Sequence, residues 1–153
     1  MTAADNELES LKKKRIEQFT SGNVESNVIK IPKGVVHLTD ANFAEFLKKY
    51  SDVPVFIDYW AVWCRPCQMV APTIEKLEEK YRGKMIFAKL NTDENPRTAQ
   101  SLGIYSIPTF HVFYKGKIAD TFVGAMPYGA FEKRIQQSLN KVKQARNPNP
   151  LYI

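Results

Sequence analysis

The feature that most constrains the fold is an eight-residue apolar segment at residues 53–60, which reads VPVFIDYW. Because apolar and polar residues do not alternate along it, the segment is typical of a strand that is covered on both faces in a parallel sheet. Three further strand-like segments follow at residues 85–90, 109–114 and 117–123, and a short one precedes it at residues 35–38. Parallel strands need long crossover connections, so we expect helices between them.

Segments with the apolar spacing of amphipathic helices lie between these strands. One begins near Phe43, a second runs from about Pro66 to Gly83, a short one covers residues 95–102, and the last begins at Tyr128. The strands at residues 109–114 and 117–123 are joined by two residues only, which predicts a hairpin. The order β-α-β-α-β-α-β-β-α therefore predicts a three-layer α/β domain, with a central mixed sheet flanked by helices on both faces.

Both ends of the chain differ from this pattern. Residues 6–19 can form an amphipathic helix, and the polar residues 21–27 interrupt it. We therefore expect a helical extension and linker at residues 1–30, the α/β domain at residues 31–143, and a tail at residues 144–153. One hypothesis for the extension is that it packs on the domain, and another is that it mediates self-association, so the sequence allows a monomer or a dimer.

Composition limits the classes of function. The chain has 153 residues, of which 44% are hydrophobic, and its formal net charge is +6. Residues 127–153 hold five basic side chains and one acidic side chain, so most of the excess lies at the C-terminal end. Basic residues in the last turns of a helix favour its dipole, and we expect neither a nucleic-acid nor a membrane partner. The first ten residues are acidic without an apolar run, which predicts a cytoplasmic protein.

The two cysteines of the chain, Cys64 and Cys67, are separated by two residues between a predicted strand and a predicted helix. A bridge across so short a loop adds little stability. A zinc site would need two more ligands, and His37 and His111 lack ligand spacing, so we expect no metal. Dithiol–disulfide exchange is favoured, because a helix N-terminus stabilises the attacking thiolate, and Pro66 suits the first turn.

Four segments together resemble the thioredoxin family. Residues 58–67 read DYWAVWCRPC, residues 89–96 read KLNTDENP, residues 104–110 read IYSIPTF, and residues 123–125 read VGA. The first resembles the active-site segment of the family and the third resembles its cis-proline loop. The resemblance covers about residues 30–143 and implies the thioredoxin fold.

The resemblance implies roles for four residues. Cys64, as the more exposed thiol, would attack a substrate disulfide, and Cys67 would resolve the mixed disulfide. Asp58 would be a buried base, because burial raises the pKa of a carboxyl towards neutrality, and Lys89 would be its partner. Taken from the residues alone, Asp58 could equally face solvent at the end of a strand, and Lys89 could be an ordinary exposed lysine.

The resemblance also implies a surface for substrates. The Ile107–Pro108 peptide bond would be cis, and the backbone of Ile107 would pair with an extended substrate segment. The residues expected to bind substrate are Trp63, Pro66, Ile107, Pro108, Gly124 and Ala125.

Arg65 departs from the family, which usually has glycine between the cysteines. Its charge would favour the Cys64 thiolate and make the pair more oxidising, or its side chain would extend into solvent with little effect. We expect a protein-disulfide reductase without a cofactor, whose partners are disulfide-containing proteins and a thioredoxin reductase or equivalent donor. The alternatives are a disulfide oxidase or isomerase of the same fold, and a non-catalytic binding module.

Overall fold

The computed structural model describes residues 30–146, and the elements along them follow the predicted order. The predicted helix at residues 6–19 and the end of the tail, residues 147–153, lie outside the described residues. In chain order the elements are β1 (Val36–Leu38), α1 (Phe43–Lys49), β2 (Val55–Trp60), α2 (Arg65–Tyr81), β3 (Ile86–Asn91), α3 (Pro96–Ser101), β4 (Thr109–Tyr114), β5 (Lys117–Val123) and α4 (Tyr128–Arg146).

The five strands form one mixed sheet in the order β1-β3-β2-β4-β5. β3 runs parallel to both β1 and β2, whereas β4 is antiparallel to β2 and β5 is antiparallel to β4. Lys115 and Gly116 connect β4 to β5 with positive φ angles of 55° and 75°. Two consecutive residues of this kind match the twist of a tight hairpin, which explains why the chain reverses here without a helix.

The sheet has an apolar core on each face, and β2 contributes to both. Phe56 packs on one face with residues of α2 and α4. Its neighbours Val55 and Ile57 pack on the other face with residues of α1. The alternation arises because successive side chains of a strand point to opposite faces. The near-continuous apolar character of β2 is thus explained by burial on both faces.

This alternation determines where the only carboxylate of β2 lies. Asp58 is two residues after Phe56, so it faces the side of the sheet that α2 covers. In the register of β2 and β3, Asp58 is directly opposite Lys89. β2 ends at Trp60 and α2 begins at Arg65, so the connection between them lies at the carboxyl ends of the parallel strands. Ligand sites of open α/β sheets form at this edge.

Within residues 30–146, no helix combines the length and apolar character that a membrane span requires.

Candidate functional site

Cys64 and Cys67 form a disulfide at the start of α2, with their Cα atoms 5.3 Å apart. Cys64 is the N-cap residue of the helix, and its Sγ accepts a hydrogen bond of 3.3 Å from the backbone N–H of Cys67. Pro66 lies in the first turn of the helix, where backbone N–H groups make no intrahelical hydrogen bond, so the N–H that proline lacks costs no hydrogen bond. The sulfur of Cys64 therefore lies at the positive end of the helix dipole, which stabilises a thiolate there once the disulfide is reduced.

The two sulfurs differ in their surroundings more than in their exposure. Cys64 is 3% exposed and Cys67 is 2% exposed, so the expected difference in accessibility is nearly absent in the disulfide form. The Sγ of Cys64 lies 3.9 Å from the carbonyl oxygen of Ile107. Cys67 instead lines a cavity of about 100 Å³ that Asp58 and Lys89 also line. One sulfur thus adjoins the predicted substrate surface and the other adjoins the predicted base.

Asp58 is buried rather than solvent-facing, with 4% of its surface exposed. Its Oδ1 atom is fully buried and has no hydrogen-bond partner among the described residues. Burial disfavours the charged form and raises the pKa of Asp58 to about 7, while the positive charge of Lys89 opposes this with a smaller effect. A carboxyl of this kind exchanges a proton readily at neutral pH.

Lys89 is a half-buried electrostatic neighbour of Asp58 rather than its ion-pair partner. Among the described residues, no ion pair of 4.0 Å or less joins the two side chains, although they are directly opposite in the sheet. The Nζ of Lys89 lies 4.7 Å from the ring centroid of Trp60, in a cation–π contact. This contact holds the ammonium group beside the cavity that contains Asp58.

The loop before β4 forms a second side of the site. The Ile107–Pro108 bond is cis. The carbonyl oxygen of Pro108 accepts a hydrogen bond of 2.9 Å from the N–H of Gly124, which joins this loop to the turn after β5. Gly124 has a φ of +94°, a conformation that side chains with a Cβ rarely adopt. The same hydrogen bond places Ala125, the next residue and an exposed one, beside the loop.

The other residues expected to bind substrate differ in what they present. Pro66 is exposed, Ile107 is half-buried and packs against Cys64 and Cys67, and Pro108 is buried. Pro108 therefore contributes backbone geometry to this surface rather than an exposed ring.

Trp63 directly precedes Cys64 in the chain, and its side chain is 71% exposed. Its Nε1 donates a hydrogen bond of 2.8 Å to Oδ2 of Asp93, a residue that the sequence did not single out. Asp93 lies within the segment at residues 89–96 that resembles the thioredoxin family, and this resemblance is the feature of the sequence that could have indicated it. Gln68 also contributes to this loop, because its Nε2 donates a hydrogen bond to the carbonyl oxygen of Val62 and ties α2 to the loop before it.

Arg65 is exposed, and no hydrogen bond or ion pair within residues 30–146 fixes its guanidinium group. His111, considered above as a zinc ligand, lies under the other face of the sheet, where its Nδ1 is 3.0 Å from the hydroxyl of Tyr59. No group of three or more potential metal ligands occurs in the described part of the chain.

A disulfide that spans four residues at the start of a helix, with a titratable carboxyl behind it, is suited to exchange with other disulfides. This site, on this mixed sheet, defines the class of thiol–disulfide oxidoreductases. Comparison with known proteins gives the family: the family model described as Thioredoxin matches residues 34–137. The chain belongs to the thioredoxin family, and it is a thiol–disulfide oxidoreductase.

Individual relatives agree with this assignment. The chain is 44% identical to a thioredoxin of Synechocystis sp. over 102 residues, which is 67% of this chain and 94% of the relative. It is 48% identical to thioredoxin 2 of Chlorobaculum tepidum over 102 residues, or 66% of this chain and 92% of the relative. It is 37% identical to a chloroplastic M-type thioredoxin of Brassica napus over 116 residues, or 76% of this chain and 65% of the relative.

Proposed function

We propose that the chain reduces disulfides of other proteins, with Cys64 as the attacking residue. The observation that carries this assignment is the asymmetry of the two sulfurs, because Cys64 caps the helix and adjoins Ile107, whereas Cys67 faces the cavity of Asp58. In the reduced chain the Cys64 thiolate attacks one sulfur of the substrate disulfide. A bond forms between these two sulfurs, the substrate S–S bond breaks, and the other substrate sulfur leaves as a thiolate.

Cys67 then resolves the mixed disulfide. Its thiol loses a proton, the resulting thiolate attacks Sγ of Cys64, and the second substrate sulfur leaves as the Cys64–Cys67 disulfide forms. Asp58 accepts the proton of Cys67 through water in the shared cavity, whose wall is mostly apolar but includes Gln68 and Lys89 beside Asp58, and whose volume of about 100 Å³ suits at least one water molecule. With a pKa of about 7, Asp58 is close to half ionised at neutral pH, so it can both take and release this proton. Lys89 limits the rise of that pKa.

Substrates dock as an extended segment along the backbone of Ile107, in the manner of an added strand. The apolar surface around the reacting sulfur supports this mode. Its members are Trp63, Pro66, Ile107, Pro108, Gly124 and Ala125.

A thioredoxin reductase or an equivalent donor of electrons returns the disulfide to the dithiol, and no cofactor is required on this chain. The chain acts as a monomer through the domain at residues 31–143, with residues 1–30 and 144–153 as appended segments. The cytoplasm is its site of action, since a reductase needs a reducing compartment. Relatives include a chloroplastic protein, so fractionation of the source cells is the test of this location.

The experiment that tests the roles of the cysteines is the trapping of the mixed disulfide. The Cys67→Ser variant should accumulate a covalent adduct with a disulfide substrate, detected by intact mass and released by dithiothreitol. The matched Cys64→Ser variant should accumulate none. Trapping by Cys64→Ser and not by Cys67→Ser would reverse the assignment.

One observation favours a second candidate, a disulfide oxidase of the same fold. Arg65 follows Cys64 directly, and a positive charge there stabilises the reduced form and shifts the reduction potential towards that of an oxidase, although water screens most of the effect of this exposed side chain. Equilibration with glutathione distinguishes the two functions. A potential of roughly −270 mV, the general figure for thioredoxins, indicates a reductase, whereas roughly −120 mV indicates an oxidase.

A further inference from the structure

Large apolar side chains that are exposed to solvent concentrate around the redox site. Five of the six in the described residues lie in or next to the segments that form it, namely Val62, Trp63, Met69, Tyr105 and Val123, and Ile118 is the sixth. The register of β4 and β5 places Ile118 opposite Phe113 and Val123 opposite Thr109, so Ile118 lies towards the far end of the hairpin. Single exposed hydrophobic residues are ordinary, but a cluster of them marks a surface that binds other molecules.

Tyr105 is the most exposed of these side chains, at 92%, and it is absent from the substrate surface described above. It belongs to the loop between α3 and the cis peptide bond at Ile107. A Cβ built on Gly103 would lie 3.7 Å from Cε2 of Tyr105, so the ring lies over the bare backbone of that glycine. The fold buries almost none of this ring, and its packing does not explain a large aromatic residue at this position.

The separation between Tyr105 and Ile107 can be compared with the length of an extended substrate segment. Tyr105 precedes Ile107 by two residues, so their Cα atoms are at most about 7 Å apart. The carbonyl oxygen of Ile107 is 3.9 Å from Sγ of Cys64, where a substrate cysteine must arrive. An extended substrate advances about 3.3 Å per residue, so two residues of substrate cover about 7 Å, the largest separation that Ile107 and Tyr105 can have.

We propose that Tyr105 is a specificity-determining residue that contacts a large apolar side chain two positions away from the reacting cysteine of the substrate. This inference rests on the proposed function, because it requires the substrate to pair along Ile107. Such a contact buries the exposed ring against an apolar side chain of the substrate, so it favours leucine or phenylalanine over a small polar residue.

Three disulfide peptides that differ at two positions test the proposal. One has leucine two residues before the reacting cysteine, one has leucine two residues after it, and one has serine at both positions. The rate constant for reaction of each with the reduced full chain is followed by tryptophan fluorescence. We expect one leucine peptide to react about three- to tenfold faster than the serine peptide. The Tyr105→Ser variant should lose this preference and Tyr105→Phe should keep it.

Ile118→Ser is the matched control, because it removes an exposed apolar side chain distant from the site and should keep the preference of the unaltered chain. Equal rates for the three peptides, or an unchanged preference in Tyr105→Ser, would overturn the role of Tyr105 alone. A reduced, unaltered chain that failed to react with bis(2-hydroxyethyl) disulfide, which has no flanking residues, would overturn the proposed function as well.

Discussion

Replacing Asp58 with asparagine should stabilise the oxidised chain at neutral and alkaline pH and have a much smaller effect in acid. The side chain of Asp58 is 4% exposed, and its Oδ1 has no hydrogen-bond partner among the described residues, so ionisation places a charge where bulk water solvates it poorly. Asparagine has nearly the same shape and cannot ionise. The variant therefore removes the titration while it keeps the volume.

The direction and size of the effect follow from the pKa. Folding raises the pKa of Asp58 from 3.8 to about 7. Between these values the folded chain holds a proton that the unfolded chain has released, so the free energy of unfolding falls as pH rises. The rise in pKa by about three units corresponds to a contribution of about 4 kcal/mol to the free energy of unfolding. This contribution is fully present below pH 3.8 and is lost once pH passes about 7.

The assay is urea denaturation of the oxidised chain and the Asp58→Asn variant at intervals from pH 4 to pH 8.5. The quantity of interest is the difference in unfolding free energy between them, which should rise by about 1.4 kcal/mol per pH unit between pH 5 and pH 6.5 and then level off. Any fixed effect of the new amide shifts this curve without changing its slope. Asp52→Asn is the control, because Asp52 is exposed in an ion pair with Lys115 and its pKa is lowered, not raised.

A flat difference across this range would refute the reasoning. It would mean that Asp58 titrates near its usual pKa, and that burial does not prevent its ionisation. The proposed proton transfer from Cys67 would then lose its physical basis, because a carboxyl with an ordinary pKa is a poor acceptor of a thiol proton at pH 7.

Two further predictions concern Arg65 and His111. Arg65→Gly should lower the reduction potential, measured against glutathione, by at most about 20 mV, because the guanidinium is exposed and water screens its charge; a larger change would show a direct interaction with Cys64. Burial lowers the pKa of His111, so the unfolded chain binds a proton more readily and the contribution of His111 to stability should decline as pH falls through about 6.5. The double variant Tyr59→Phe, His111→Leu removes both members of the buried pair but keeps Asp58, so the unfolding free energy of the unaltered chain minus that of the variant should decrease from pH 7.5 to pH 5.5; a difference that does not change with pH would contradict this account.

The order of elements and the mixed sheet could be predicted from the sequence because they depend on local patterns. The apolar run at residues 53–60 required burial on both faces, and β2 has it, with Phe56 and Ile57 in different cores. The two-residue connection at Lys115 and Gly116 required a hairpin, and their positive φ angles provide one. Each of these features is determined within one segment of the chain, so no knowledge of distant neighbours was needed.

The electrostatic properties of the site could not be predicted in the same way, because they depend on residues that are distant in sequence. The sequence placed a carboxyl in a strand, but only the packing of α2 against β2 explains why Oδ1 of Asp58 has no hydrogen-bond partner within residues 30–146 and why Asp58 shares a cavity with Cys67. Similarly, the bond from Trp63 to Asp93 crosses 30 residues, and the pair formed by Tyr59 and His111 crosses 52. Their partners became known only once the sheet register was fixed.

Asp58 of β2 and His111 of β4 are buried titratable residues that lie on opposite faces of the sheet and have opposite effects on stability. Asp58 faces α2 and destabilises the fold as pH rises, whereas His111 packs with Tyr59 on the other face and destabilises it as pH falls. The histidine keeps a hydrogen bond to the Tyr59 hydroxyl, while Oδ1 of Asp58 has no partner in the described chain. A fold selected for stability alone would replace this carboxyl with a neutral residue. Its retention next to Cys67 is understandable if the chain requires, behind its resolving cysteine, a group that changes protonation near pH 7.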